Sequence, residues 1–314
     1  MRYIKPPLSF EQQAELLISR GLEADKDELV ARLRVVNYYR LSGYWYPFRQ
    51  SGTDTFKPHT TLEKIWRRYV FDRQLRLLTM DAIERVEIAI KTSIIYHHSH
   101  SCGAFGYTAN IYLPNLDENQ YASFMKKIQE ATSRSKEGFV EHFKKTYGDT
   151  HSLLPLWMAA EIKTFGMMLT MFRGIEMKLQ QVIAREYNIS DKVLLSWLVA
   201  INTIRNVCAH HGRLRDRILD YTPMIPRANK HPQWHNPFSI PQDRIFGILT
   251  ILKYMMNIVA PQSRWNERFI ALLNQYQEIP ITSMGMQNNW QDCPIWQNVI
   301  IKSVRENRTV KKNE

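Results

Sequence analysis

The sequence predicts an all-α protein, a helical bundle with a small N-terminal helical lobe and additional C-terminal helices. Three observations predict it. Apolar residues recur at spacings of three and four through most of the chain, and strand-like alternation is nearly absent. The run over 60–97 contains no proline and is too long for an ordinary surface helix. Ser, Thr or Asp repeatedly stands three residues before Glu or Gln, the reciprocal cap of a helix start.

Ser9 with Gln12 opens a first amphipathic helix through Phe10, Ala14, Leu17 and Ile18, and Gly21 stops it. Asp25 with Glu28 opens a second, with Leu29, Leu33 and Val36 on one side. The segment 37–49 then interleaves six aromatic rings with Arg40 and Arg49. Rings at this density pack the base of a small lobe, so core packing is expected, with the two arginines as secondary RNA contacts. The turn-rich stretch 51–59 closes the lobe. Thr60 with Glu63 is expected to cap a helix of about 35 residues, roughly 50 Å at 1.5 Å per residue. Further helices are expected at 117–132, 136–147, 156–172, 176–187, 191–211, 244–260 and 263–276. The chain thus divides into a lobe (1–58), a helical domain (59–276) and a C-terminal extension with a basic tail (277–314).

Composition narrows the function. The chain has 314 residues, and 42 Lys and Arg against 30 Asp and Glu leave a formal net charge of +12. Such a field favours polyanions, although excess lysine alone can serve solubility. Cys102, Cys208 and Cys293 are far apart and odd in number, which suits a reducing cytoplasm. No stretch approaches the roughly 20 apolar residues of a spanning helix, so no membrane role is expected. Phosphate-cradling glycine loops and the GxSxG elbow are absent from the sequence, which speaks against NTP hydrolysis and serine esterase chemistry.

The informative helix starts at Asp191 behind Ser190 and runs to a stop expected at Gly212. Leu194, Trp197, Leu198, Ile201, Ile204 and Cys208 form its apolar stripe, and the same spacing puts Arg205 on it. A guanidinium facing inward must meet a carboxylate or line a cleft that receives an anion. Asn206 and His210, four apart, share the adjoining face. Arg205 and His210 stand about 140° apart on an ideal helix, so only the reach of arginine or an ending helix brings them together.

The run RNVCAHHGRLRDR resembles the Arg-Asn-x-x-x-His signature of HEPN ribonucleases (higher eukaryotes and prokaryotes nucleotide-binding), in the form Arg-x(4 to 6)-His. Both His210 and His211 satisfy the spacing. Four further blocks, KPPLSFEQQAELLISRGL, NYYRLSGYWYPF, IERVEIAIK and LPLWMAAEIKTFG, are similar in order to abortive-infection proteins of the AbiD/AbiF type. The resemblance covers most of residues 5–215.

What the resemblance implies is a HEPN-like bundle and a metal-independent endoribonuclease of phage defence. The RNA's own 2′-hydroxyl would attack the adjacent phosphate and leave a 2′,3′-cyclic phosphate. His210 would move protons, as a histidine can near neutrality, and Arg205 would stabilise the charge developing on the phosphate. Asn206 would orient one of them, and His211 is either the alternate acid/base or a supporting group. One motif per chain implies a homodimer, with two clusters facing one cleft. No cofactor is implied, and the partner is RNA, which could include a structured noncoding RNA that restrains activity.

Alternatives remain open at the level of residues. Arg205 could bridge to Glu84, Glu87 or Glu161 while the histidines favour a helix C-terminus through its dipole. The chain could hold RNA without cutting it. Three histidines and a thiol over 97–102 make zinc conceivable, but no CxxC or HExxH framework accompanies them. Arg213, Arg215 and Arg217 follow the motif and are candidate phosphate contacts, as are Arg305, Arg308, Lys311 and Lys312 in the tail.

Overall fold

A computed structural model describes Arg2 and residues 6–297, so the tail residues Arg305, Arg308, Lys311 and Lys312 lie outside the described residues. Among the described residues the chain forms twelve α-helices joined by loops and short 3-10 turns, with only isolated β-bridges and no sheet. The fold is all-α, as the periodicity predicts.

Helix α1 (Phe10–Ser19) begins at the expected reciprocal cap of Ser9 and Gln12. In α2 (Lys26–Val36) the Asp25 carboxylate accepts from the Glu28 N–H at 2.8 Å. In α3 (Tyr38–Trp45) the Asn37 side chain caps the Arg40 N–H at the same distance. These helices close over a core of Leu17, Leu33, Leu41, Trp45 and Phe56 that also takes in Leu62 and Ile65. Those last two belong to the first turn of α4 (Leu62–Cys102), so the lobe is built on the end of the spine. The aromatic segment divides between core and surface. Trp45 packs edge-on against Tyr38 and Phe56, while Tyr39 stays 88% exposed.

At 41 residues α4 is about 60 Å long, longer than the sequence suggested. Its cap is Thr61 rather than Thr60: Thr61 accepts from the Lys64 N–H at 3.2 Å, while the buried Thr60 hydroxyl donates to the Lys57 carbonyl at 2.7 Å. Along its length α4 packs against α3, α7 (Leu156–Glu161), α8 (Phe165–Gly174), α9 (Met177–Arg185), α10 (Asp191–Ala209), α11 (Ile245–Val259) and α12 (Trp265–Gln275). Helices α5 (Glu118–Arg134) and α6 (Gly138–Tyr147) complete the bundle, α5 behind a second reciprocal cap of Asp117 and Gln120.

The single helix expected over 156–172 is two, broken at 162–164. Its stripe slips there. Leu156, Ala159 and Ala160 are buried in α7, and burial resumes at Phe165, Met168, Leu169 and Phe172, one step out of phase with a continuous helix. The break turns Lys163 inward, its ammonium 4.4 Å from the Tyr107 ring centre. Residues 277–297 pack back on α11 and α12 through Trp290 and Trp296, whose rings meet Phe246 and Phe269. No helix among the described residues is long and apolar enough to cross a membrane.

Candidate functional site

Ser190 caps α10, accepting from the Val193 N–H at 3.3 Å, and the expected stripe from Leu194 to Cys208 is buried. The helix ends at Ala209, two residues short of the expected end at 211. His211 takes the left-handed conformation, φ +57°, that glycine ordinarily supplies at this place. Its N–H returns to the Cys208 carbonyl at 3.0 Å and the Gly212 N–H to the Val207 carbonyl at 2.7 Å, the paired reverse bonds of a left-handed helix stop.

An L-residue held left-handed costs roughly 1–2 kcal/mol and persists where the surroundings fix it. The fixing groups come from two other helices. Arg40 of α3 donates to the His211 carbonyl. Arg76 of α4 reaches the Gly212 carbonyl at 3.4 Å. Asp72, one turn before Arg76 and only 1% exposed, accepts the N–H groups of Leu214 (3.1 Å) and Arg215 (2.8 Å) on one carboxylate oxygen. Its other oxygen accepts from Arg76 at 2.5 Å and from the Tyr44 hydroxyl at 2.7 Å. Burial and the neighbouring Asp72 charge push the Tyr44 hydroxyl well above the usual phenol range, which keeps it a donor. The segment after α10 is therefore strapped to the spine by a buried ion pair.

Asn206, His210 and His211 are exposed around this helix end, and Arg205 is half-buried. The Arg205 Nε is shut off from solvent without a hydrogen-bond partner, and no ion pair engages Arg205 among the described residues. Glu84 and Glu161 are exposed and form no ion pair among the described residues, and Glu87 pairs with Lys91 at 3.0 Å.

Of the other arginines, Arg213 donates to the Gly43 carbonyl at 2.9 Å, so with Arg40 it ties the lobe to the helix end. Gly43 leaves room for this contact, because a Cβ would lie 2.6 Å from the Arg213 guanidinium and would push it aside. Arg215 is buried against Asp216, with one guanidinium nitrogen left unpartnered. Arg217 lies 3.7 Å from Asp220. Arg49 pairs with Asp54 at 2.8 Å, inside the lobe. The structure thus brings Arg40, Arg213, Arg215 and Arg217 to the helix end and keeps Arg49 within the lobe, where it shares Asp54 with Arg20.

Sequence reasoning missed Asp72, Arg76 and Tyr44. The signal was available: Asp72 and Arg76 stand four apart on the buried stripe of Ile65, Leu75, Thr79, Ile83 and Val86. The spacing test that singled out Arg205 would have singled them out too.

The histidines over 97–102 point apart. His97 pairs with Glu186 at 2.9 Å, His100 meets the Tyr96 carbonyl at 2.7 Å, and His98 is fully buried. Among the described residues no group of three or more His, Cys, Asp and Glu could hold a metal ion. Burial lowers the His98 pKa and pushes that of Lys163 down to about 7.

One expected result follows from the stop. His211→Gly relieves the left-handed strain and should raise the unfolding free energy by about 1 kcal/mol in urea titration. A loss of stability would mean that the histidine side chain contributes packing that outweighs the strain.

The fold and the helix end define an all-α chain whose spine holds an Arg-Asn-x-x-x-His helix terminus in one fixed shape. The chain belongs to the Abi-like protein family, whose model matches residues 31–216. That family suggests a part in abortive infection, the defence of a cell population against phage. Comparison with curated proteins and with solved structures gives no match.

Proposed function

We propose that the protein is a HEPN-type endoribonuclease that acts in phage defence by cutting RNA without a metal at the end of α10. The observation that carries the reading is Arg205, half-buried with an unpartnered Nε beside exposed Asn206, His210 and His211. A half-buried cation without a carboxylate is arranged to receive an anion, here the scissile phosphate. His210 takes the proton of the attacking 2′-hydroxyl or supplies one to the leaving 5′-oxygen, and a second copy of the chain provides the other histidine. Atoms balance without water: the 2′-oxygen bonds to phosphorus as the 5′-oxygen leaves, giving the cyclic phosphate. Asn206 orients the imidazole or the phosphate. Arg213 and Arg217, next to the helix end, grip flanking phosphates and set register without reading bases.

The test is incubation of the purified protein with labelled tRNA and single-stranded RNA in EDTA, comparing wild type with Arg205→Ala and His210→Ala. Cutting by wild type alone, with cyclic phosphate ends, supports the reading. Equal products from all three proteins overturn it.

A second reading, RNA binding without cleavage, is favoured by one observation: Arg40, Arg213 and Arg217 crowd a surface of a chain with formal net charge +12. On this reading a structured noncoding RNA is held and could restrain the protein. Its signature is affinity that falls steeply as salt rises from 50 to 200 mM, unchanged in Arg205→Ala, with no cleavage by any variant.

A further inference from the structure

Helix α11 is buried along nearly its whole length, and Lys253 is its only charged residue. Lys253 is 5% exposed, and its ammonium donates to the Asn257 side-chain oxygen at 2.7 Å. Among the described residues no carboxylate pairs with it. An ammonium taken out of water and given only a neutral amide is left poorly compensated.

A cleft of about 280 Å³ between the end of α11 and the start of α12 is lined by Lys253, Asn257 and Asn266 among others. Two polar atoms of these residues are unfinished and closed off from solvent. The Asn257 amide nitrogen is buried without a partner, and so is the carbonyl oxygen of Asn266, a residue more than nine-tenths buried. At the first turn of α12 the Trp265 N–H is taken by the Ser263 hydroxyl at 3.3 Å. At the mouth Arg264 is matched by Glu267 at 2.6 Å, which leaves the charge of the cleft to Lys253.

We propose that this cleft binds a small organic acid. One anionic head meets Lys253, the Asn257 N–H and the Asn266 carbonyl turn from the wall to complete the ligand's polar contacts, and an apolar body lies along Met256, Ala260 and Trp265. A carboxylate and a phosphate ester present the same head. The cleft shares no residue with the end of α10, so the inference stands independently of the ribonuclease reading.

The experiment is calorimetric titration of the full chain with glutamate in one arm and adenosine monophosphate in the other, at millimolar concentrations. Wild type, Arg205→Ala, Lys253→Met and Asn266→Ala are compared. Saturable binding in one arm is expected, retained in Arg205→Ala and weakened about tenfold or more in Lys253→Met, the loss of one charge-assisted bond. The arm that binds identifies the head. Ligand-free Lys253→Met should also melt at a higher temperature than wild type, because an uncompensated cation gives way to an apolar chain of similar length. Asn266→Ala leaves α11 intact and should weaken binding by itself. The proposal is overturned if neither acid binds wild type, if Lys253→Met and Asn266→Ala bind as tightly, or if binding disappears in Arg205→Ala.

Discussion

Arg205→Ala is expected to lower the rate of RNA cleavage by a factor of about 10² to 10³, the loss typical when one group stabilising developing charge is removed. His210→Ala should cost about 10² to 10⁴, as removal of a positioned proton-transfer group does. Neither change should unfold the protein. Arg205 makes no ion pair among the described residues, and His210 is exposed, so melting temperatures within a few degrees of wild type are expected. Single-turnover cleavage with saturating protein separates the chemical step from binding. A fall in affinity with an unchanged saturated rate would move Arg205 from transition-state stabilisation to ground-state binding. Mixing Arg205→Ala and His210→Ala proteins adds a second readout. If two copies share one cleft, mixed dimers regain part of the activity that each homodimer lacks.

The second large effect is on stability. Asp72→Asn removes the charge that Arg76 answers in the core and leaves the arginine buried and unpaired, at a cost of about 3–5 kcal/mol. Urea denaturation should show this as a shifted midpoint with an unchanged slope. Arg76→Met alone strands the carboxylate and should cost a similar amount, although the Asp72 bonds to Leu214, Arg215 and Tyr44 remain. Asp72→Asn combined with Arg76→Met should recover much of the loss, because no unpaired charge is left. Additive losses in the double variant would show that the pair acts through separate partners. Recovery in the double variant would mean that the ion pair contributes less to net stability than to the shape of the segment it holds.

How much was legible in the sequence varied with how local the cause was. The caps at Ser9, Asp25, Asp117 and Ser190 lie within one turn of the residues they serve, and the helices they open began where expected. The break at 162–164 was missed because its punctuation is weak. Thr164 stands at the cap of α8 without a side-chain bond, Gly166 follows in the first turn, no proline marks the place, and the slip from Ala160 to Phe165 is the clearest sign. The stop of α10 was placed at Gly212 because glycine is the usual left-handed residue. His211 holds that conformation through Arg40, which is 171 positions away, and such a contact leaves no trace in a local window. At the site, the inward turn of Arg205 was readable from its spacing. The arginines after the motif were readable as a cluster but not as separate contacts, since whether each faces a carbonyl, a carboxylate or solvent depends on the lobe docking beside them.

The contact between Gly43 and Arg213 joins two distant positions of the chain. The missing side chain at position 43 is the space the guanidinium occupies, and the carbonyl of the same residue is what it binds. A larger residue at 43 would push the exposed Arg213 side chain off that carbonyl, and the lobe would lose one tether to the helix end. The docking of the lobe would then rest on Arg40 at the His211 carbonyl and on Tyr44 at Asp72.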